Sequence, residues 1–186
     1  MRLYVYSVLI LFFLCFASCK SGFEHNRAGM EKLNTELKNE FGADTWYTSI
    51  ELVNNDGSDD VITVDKTNDP NSLKQEQWSQ FHGFWDKKAN ITLSIQGAEP
   101  KAFMFQLDKE VSLGMMGTLM ERSVEKIRSE KNADDAQVVL AQVRASNQMN
   151  SKSQGIKYTV SVESKKIGKH YHFVYNLDGS LNALNE

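Results

Sequence analysis

The reading that decides the fold starts at LGMMGTLMERSVEKIRSEK, residues 113–131, followed by QVVLAQVR at 137–144, IKYTVSV at 156–162 and YHFVY at 171–175. In the first stretch Leu113, Met116, Met120, Val124 and Ile127 recur at helical spacing, which predicts one amphipathic helix. The three stretches after it are β-branched or aromatic, and in the later two apolar side chains alternate with polar ones, as in half-buried strands. Asp178-Gly179 then marks a tight turn into a last strand, Leu181 to Leu184.

Working outward, the same order appears upstream. Met30, Leu33, Leu37 and Phe41 predict a helix that stops at Gly42. Strand-like segments follow at Trp46 to Val53, Val61 to Asp65, Trp78 to Trp85 and Ile91 to Ile95. The two copies overlay with Gly42-Ala43-Asp44 on Asn132-Ala133-Asp134, His82 on His172, Trp85 on Tyr175 and Ile91 on Leu181, all 90 positions apart. Ile62-Thr63-Val64 matches Tyr158-Thr159-Val160 at 96, so the second copy needs a longer loop, and Asn147 to Gly155 supplies it. The expectation is an α+β fold of two αβββ-like halves, mostly antiparallel, with one amphipathic helix each; one α+β domain without a repeat is the alternative. The halves divide at 29–110 and 111–186, and a connecting hairpin of Ile91–Ile95 with Phe103–Leu107, turning through Gly97-Ala98-Glu99-Pro100, closes the first. No Pro-rich or Ser-rich linker separates them, so packed halves on a shared sheet are expected, with helices on one face and the other open to a partner.

Composition sets the class. The 186 residues carry 21 Lys plus Arg against 24 Asp plus Glu, a net charge of −3, with 41% hydrophobic and 10% aromatic residues. That describes a folded domain, and the mild acidity disfavours nucleic acid as a partner. At the N-terminus, Arg2 precedes an apolar run of about 15 residues from Leu3 to Ala17. This is short for a membrane span, which takes roughly 20, so residues 1–18 read as an export signal, with a single-span anchor as the alternative.

Both cysteines, Cys15 and Cys19, lie here, and no disulfide can form beyond them. Phe16-Ala17-Ser18-Cys19 resembles the lipobox of bacterial lipoproteins, with Phe16 where an aliphatic residue is typical. The resemblance implies cleavage before Cys19, acylation of that cysteine, a membrane anchor built from its lipid and a tether over residues 19–28. Lys20 in place of the Asp that retains some lipoproteins at the inner membrane points to the outer membrane, facing the periplasm. The αβββ layout also resembles small envelope modules of the PepSY and BamE families and the tandem β-lactamase inhibitory protein. What that implies is a module that binds or inhibits an envelope protein rather than an enzyme.

The chemistry-bearing residues are few. Trp78, Phe81, Phe84 and Trp85 crowd into W-S-Q-F-H-G-F-W; on a single strand Phe81 and Trp85 oppose Trp78 and Phe84, so one pair faces out as a protein-binding patch unless all four join the core. His170 and His172 share a strand face and are the best metal ligands, with His82 a third if the repeat brings the strands together; solvated histidines are the simpler reading. Lys165, Lys166 and Lys169 surround a turn, either meeting an anionic surface or guarding a sheet edge. Asp56, Asp59 and Asp60 lack the distal Glu of an EF-hand, and Gly114–Gly117 lacks the Lys-Ser or Lys-Thr of a phosphate loop. With no G-x-S-x-G and no cysteine nucleophile, no cofactor is expected. The resulting expectation is a non-enzymatic, lipid-anchored protein-binding module of the envelope, with a small-ligand or metal-binding lipoprotein using His170 and His172 as the alternative.

Overall fold

A computed structural model describes residues 22–55, 60–95, 99–146 and 155–186. Cys19 and its lipobox, Asp56, Asp59, most of the 147–155 loop and Gly97-Ala98 lie outside the described residues. Two helices, α1 (Arg27–Phe41) and α2 (Leu113–Lys131), pack against each other over one antiparallel sheet. Its strands are β1 (Trp46–Val53), β2 (Val61–Thr67), β3 (Lys74–Phe81), β4 (Phe84–Thr92), β5 (Gln137–Ala145), β6 (Ile156–Ser164), β7 (Lys169–Tyr175) and β8 (Leu181–Asn185). They lie in the order β4-β3-β2-β1-β5-β6-β7-β8, so each half contributes its helix and four consecutive strands, and β1 meets β5 at the centre.

The helices begin where the sequence offers a side-chain cap. Asn26 accepts from the Gly29 N–H at 2.9 Å and Ser112 from the Met115 N–H at 3.1 Å, each satisfying one of the free donors of a first turn. Both end on a residue with positive φ, Gly42 at 98° and Asn132 at 53°. In α2 the G-M-M-G stretch serves packing: a Cβ on Gly117 would lie under 3.0 Å from backbone atoms of Asn26 and Arg27, so only glycine lets α1 approach.

The core fills the space between the helices and the sheet. Met30, Leu33, Leu37, Leu113, Met116, Leu119, Met120 and Ile127 project down onto Ile50, Leu52, Ile62, Val64, Ala141, Val143, Tyr158, Val160, Phe173 and Tyr175, all at most 2% exposed. Tyr158 ties sheet to helix, since its hydroxyl accepts from the Ser112 N–H and donates to the Ser112 carbonyl, both at 3.0 Å.

The registers of the two halves are equivalent. Ile50 pairs with Val64 as Ala141 with Val160, Leu52 with Ile62 as Val143 with Tyr158, Val64 with Trp78 as Val160 with Phe173, and Gln80 with Trp85 as Tyr175 with Leu181. At the centre Ile50 pairs with Val143 and Leu52 with Ala141, an arrangement symmetric about the Glu51–Gln142 pair. The expected spacing of 96 for β2 on β6 therefore stands, but the spacing of 90 farther along does not. Phe173 answers to Trp78, Tyr175 to Gln80 and Leu181 to Trp85.

Two further expectations are corrected. The connecting hairpin does not form: Ile91 and Thr92 end β4, Pro100–Phe103 is a 3-10 turn, and Phe105 makes an isolated bridge to Tyr47 in β1. The segment Trp78–Trp85 is not one strand either. His82 and Gly83 take φ of 51° and 79°, the paired positive values of a two-residue hairpin turn, and Phe81 faces Phe84 across it.

Candidate functional site

The turn at His82-Gly83 decides the fate of the aromatic quartet. By reversing the chain it places Trp78 and Trp85 on the helix side together, where they pack edge-on against Phe41 with centroids 5.5 and 5.0 Å away. Trp85 Nε1 donates to Glu36 Oε1 at 3.1 Å, and Gln80 Nε2 donates to the same oxygen. Trp78 Nε1 donates to Glu76 Oε2 at 3.1 Å. Both tryptophans are half-buried packing residues. Phe81 and Phe84 are left outside, 48% and 79% exposed, at the tip of the β3–β4 hairpin.

The histidines do not converge. His170 and His172 are exposed on β7, while His82 sits in the β3–β4 turn with four strands intervening, roughly 24 Å away across the sheet. His172 Nδ1 lies 2.8 Å from Ser161 Oγ and His170 Nε2 lies 3.8 Å from Glu163 Oε1. Among the described residues no group of three His, Cys, Asp or Glu side chains is placed to hold a metal ion. The lysines around the β6–β7 turn are ion-paired in part, Lys166 to Asp134 at 2.8 Å and Lys169 to Glu186 at 2.9 Å. Since β8 lies outside β7, this turn is not on an edge strand.

The larger feature is the sheet face turned away from the helices. No described helix packs on it, and at roughly 4.8 Å per strand its eight strands span about 34 Å. Many of its side chains are polar and joined across strands: Gln142 Nε2 donates to Glu51 Oε2 at 2.6 Å, Gln77 Nε2 to Asp65 Oδ1 at 3.0 Å, and Thr63 and Ser79 hydroxyls meet at 3.1 Å; Val53, Val61 and Val174 lie among them. Near its centre Ser49, Asp65, Gln142, Arg144, Lys157 and Thr159 line a concavity of about 480 Å³. Lys157 donates to Asn176 Oδ1, whereas the exposed Arg144 forms no ion pair with a described residue. A guanidinium of that kind, set on rigid strands beside amide and hydroxyl groups, is suited to a carboxylate brought by a partner.

One element escaped sequence reasoning. Asp60, placed there in an acidic loop, is buried and holds the N-terminal arm: the Phe23 N–H donates to Oδ2 at 3.2 Å and His25 Nε2 lies 3.0 Å from Oδ1. Phe23 itself is 8% exposed, with the Lys32 ammonium 5.6 Å above its ring. The signal available was an aromatic residue directly before a helix, with nothing to say which carboxylate would take its amide.

No protein-family model matches the chain, and searches of curated proteins and of solved structures find no match either.

Proposed function

We propose that this protein is a lipid-anchored lipoprotein of the cell envelope that works without catalysis, binding another envelope protein on the bare face of its sheet. The observation that carries the reading is the asymmetry of the sheet, with both helices on one side and a polar face about 34 Å wide on the other. A buried core cannot explain such a face, and eight paired strands give it the rigidity that recognition at low entropic cost requires. Arg144 and its concavity supply a central polar anchor. The Cys19 lipid, in this reading, keeps the module at the outer membrane on the periplasmic side.

The test is a photo-crosslinking side chain at Thr159 on the bare face, compared with one at Thr35 on the outer side of α1, in living cells. A discrete adduct from position 159, absent from position 35 and lost when Arg144→Glu is added to a protein of unchanged melting temperature, is the expected result. Equal labelling from both positions overturns the assignment of the face.

A further inference from the structure

We propose that the Phe81–Phe84 hairpin tip enters the interface of the bilayer that holds the N-terminus, as a second foot beside the acyl chains. This rests on the reading of Cys19 as lipidated and adds to it the end of the domain that meets the membrane.

Strand direction brings the relevant groups together. Val53 pairs with Val61 and Ile62 with Gln80, so the residue preceding β2, Asp60, and the tip 81–84 lie at one end of the sheet on neighbouring strands. Asp60 is also the residue that fixes the arm, through the Phe23 amide at 3.2 Å and His25 at 3.0 Å, with its own side chain only 7% exposed. The chain is therefore held at Phe23, four residues after Cys19, a length that can span at most about 14 Å. A tether free as far as α1 would leave the orientation of the domain open. Fixed at Phe23, the anchor can draw only this end of the sheet to the bilayer.

That end carries what an interface would take. Phe84 and Phe81 are the two most exposed large apolar side chains among the described residues, at 79% and 48%. Gln137 pairs with Glu163, so the β6–β7 turn lies at the same end, three strand spacings to the other side of Asp60, and offers Ile167 at 38% exposure beside Lys165 and Lys166. The Phe23–Asp60 contact thus lies between two hairpin tips, each presenting apolar surface. Aromatic side chains favour the headgroup level of a bilayer, and shallow apolar insertion supplements an acyl anchor. A protein partner could also take a phenylalanine pair, but it gives no reason for the pair to sit beside the tether.

The lipidated full chain, in a Cys15→Ser background, would be prepared with Phe84→Cys, Ile167→Cys or, at the opposite end of the sheet, Leu177→Cys. Each is labelled with a fluorophore and reconstituted into phosphatidylethanolamine–phosphatidylglycerol vesicles containing a headgroup-level nitroxide quencher, with Cys19 acylation checked by mass spectrometry. The expected result is quenching at position 84 several-fold above that at 177, with 167 between them. Equal quenching at 84 and 177 on an acylated protein overturns the tip assignment alone, and an unmodified Cys19 overturns the anchor with it. A label at 84 that lipid does not quench but an envelope protein shields in intact cells gives the tip to a protein partner and likewise overturns the proposal.

Discussion

Gln80 and Tyr175 occupy equivalent places in the two halves, each opposite the equivalent residue of the neighbouring strand, yet they are held in different ways. Tyr175 is 2% exposed, its hydroxyl 2.7 Å from Ser123 Oγ of α2, with the Arg122 guanidinium 5.0 Å from its ring. Gln80 instead donates to Glu36 of α1, beside Trp85. The contrast extends outward. Behind Tyr175 lie Phe173 and Tyr171, almost without exposure, whereas behind Gln80 come Trp78 and a Lys66–Glu76–Lys87 ion-pair row. The helix C-termini lie at equivalent places, Phe41 before Gly42 and Lys131 before Asn132, so the difference is in what packs beneath them. Phe41 meets Trp78 and Trp85 with the Lys66 ammonium 5.3 Å from its ring, whereas α2 ends over the buried Tyr171, with the Lys131 ammonium 5.9 Å from that ring. One topology can therefore hold a half closed by a row of buried aromatic rings and a half closed by tryptophans and an ion-pair row.

The sharpest way to break this comparison is to truncate equivalent positions. Phe173→Ala removes a fully buried ring from the aromatic row and should cost about 3–5 kcal/mol in urea unfolding. Trp78→Ala, at the matching place in the other half, should cost about 2 kcal/mol, because Trp78 keeps water contact and loses fewer neighbours. Equal losses would show the two halves to be equally packed. Trp85→Phe isolates the hydrogen bond to Glu36 and should cost about 1 kcal/mol, while Phe41→Ala in the same background should show coupling, since both rings share one contact.

The ion-pair row gives a pH signature of its own, set in a partly covered strand, while in the other half the carboxylate held down as far is the exposed Glu186 between Lys131 and Lys169. Lys87 and Lys66, with help from Trp78 Nε1, hold the Glu76 carboxylate down to a pKa of about 2. A carboxylate whose folded pKa is depressed stabilises the protein above its unfolded value, near 4.5, and that contribution disappears as pH falls from there through about 2. Glu76→Gln should therefore lower stability at neutral pH, by below about 1 kcal/mol given the solvent screening of a side chain 35% exposed. Wild type and variant should converge at the acid limit. A constant difference across that range would assign the cost to packing instead.

Much of this architecture is legible in the residues. Helical spacing at Met30–Phe41 and Leu113–Ile127 finds both helices, and alternation at Tyr158–Val162 finds a central strand and its face. The match of Ile62 to Tyr158 also finds the true offset. What fails is the stretch 78–85. His-Gly is an uncommon pair for a two-residue turn, and four aromatic residues around it read as one continuous apolar strand. Missing that reversal shifts every later equivalence by several residues and reverses the faces of the tryptophans. The Asp60 latch is a different kind of failure. A carboxylate and an amide 37 positions apart leave no periodic trace, and only the folded chain brings them together.

The smallest expected effect is the most informative about what remains outside the core. Phe81→Ser together with Phe84→Ser removes two large apolar side chains, and the same change at the buried Tyr171 and Phe173 would unfold the protein. Here both face solvent, and the turn is set by the positive φ of His82 and Gly83 rather than by the rings, so the stability change should stay within about 0.5 kcal/mol. A larger loss would mean that the rings hold the hairpin closed, and their exposure would need no membrane or partner to explain it. A neutral result leaves two phenylalanines that contribute nothing to folding at the end of the sheet where the chain leaves for Cys19, which is what a contact surface requires.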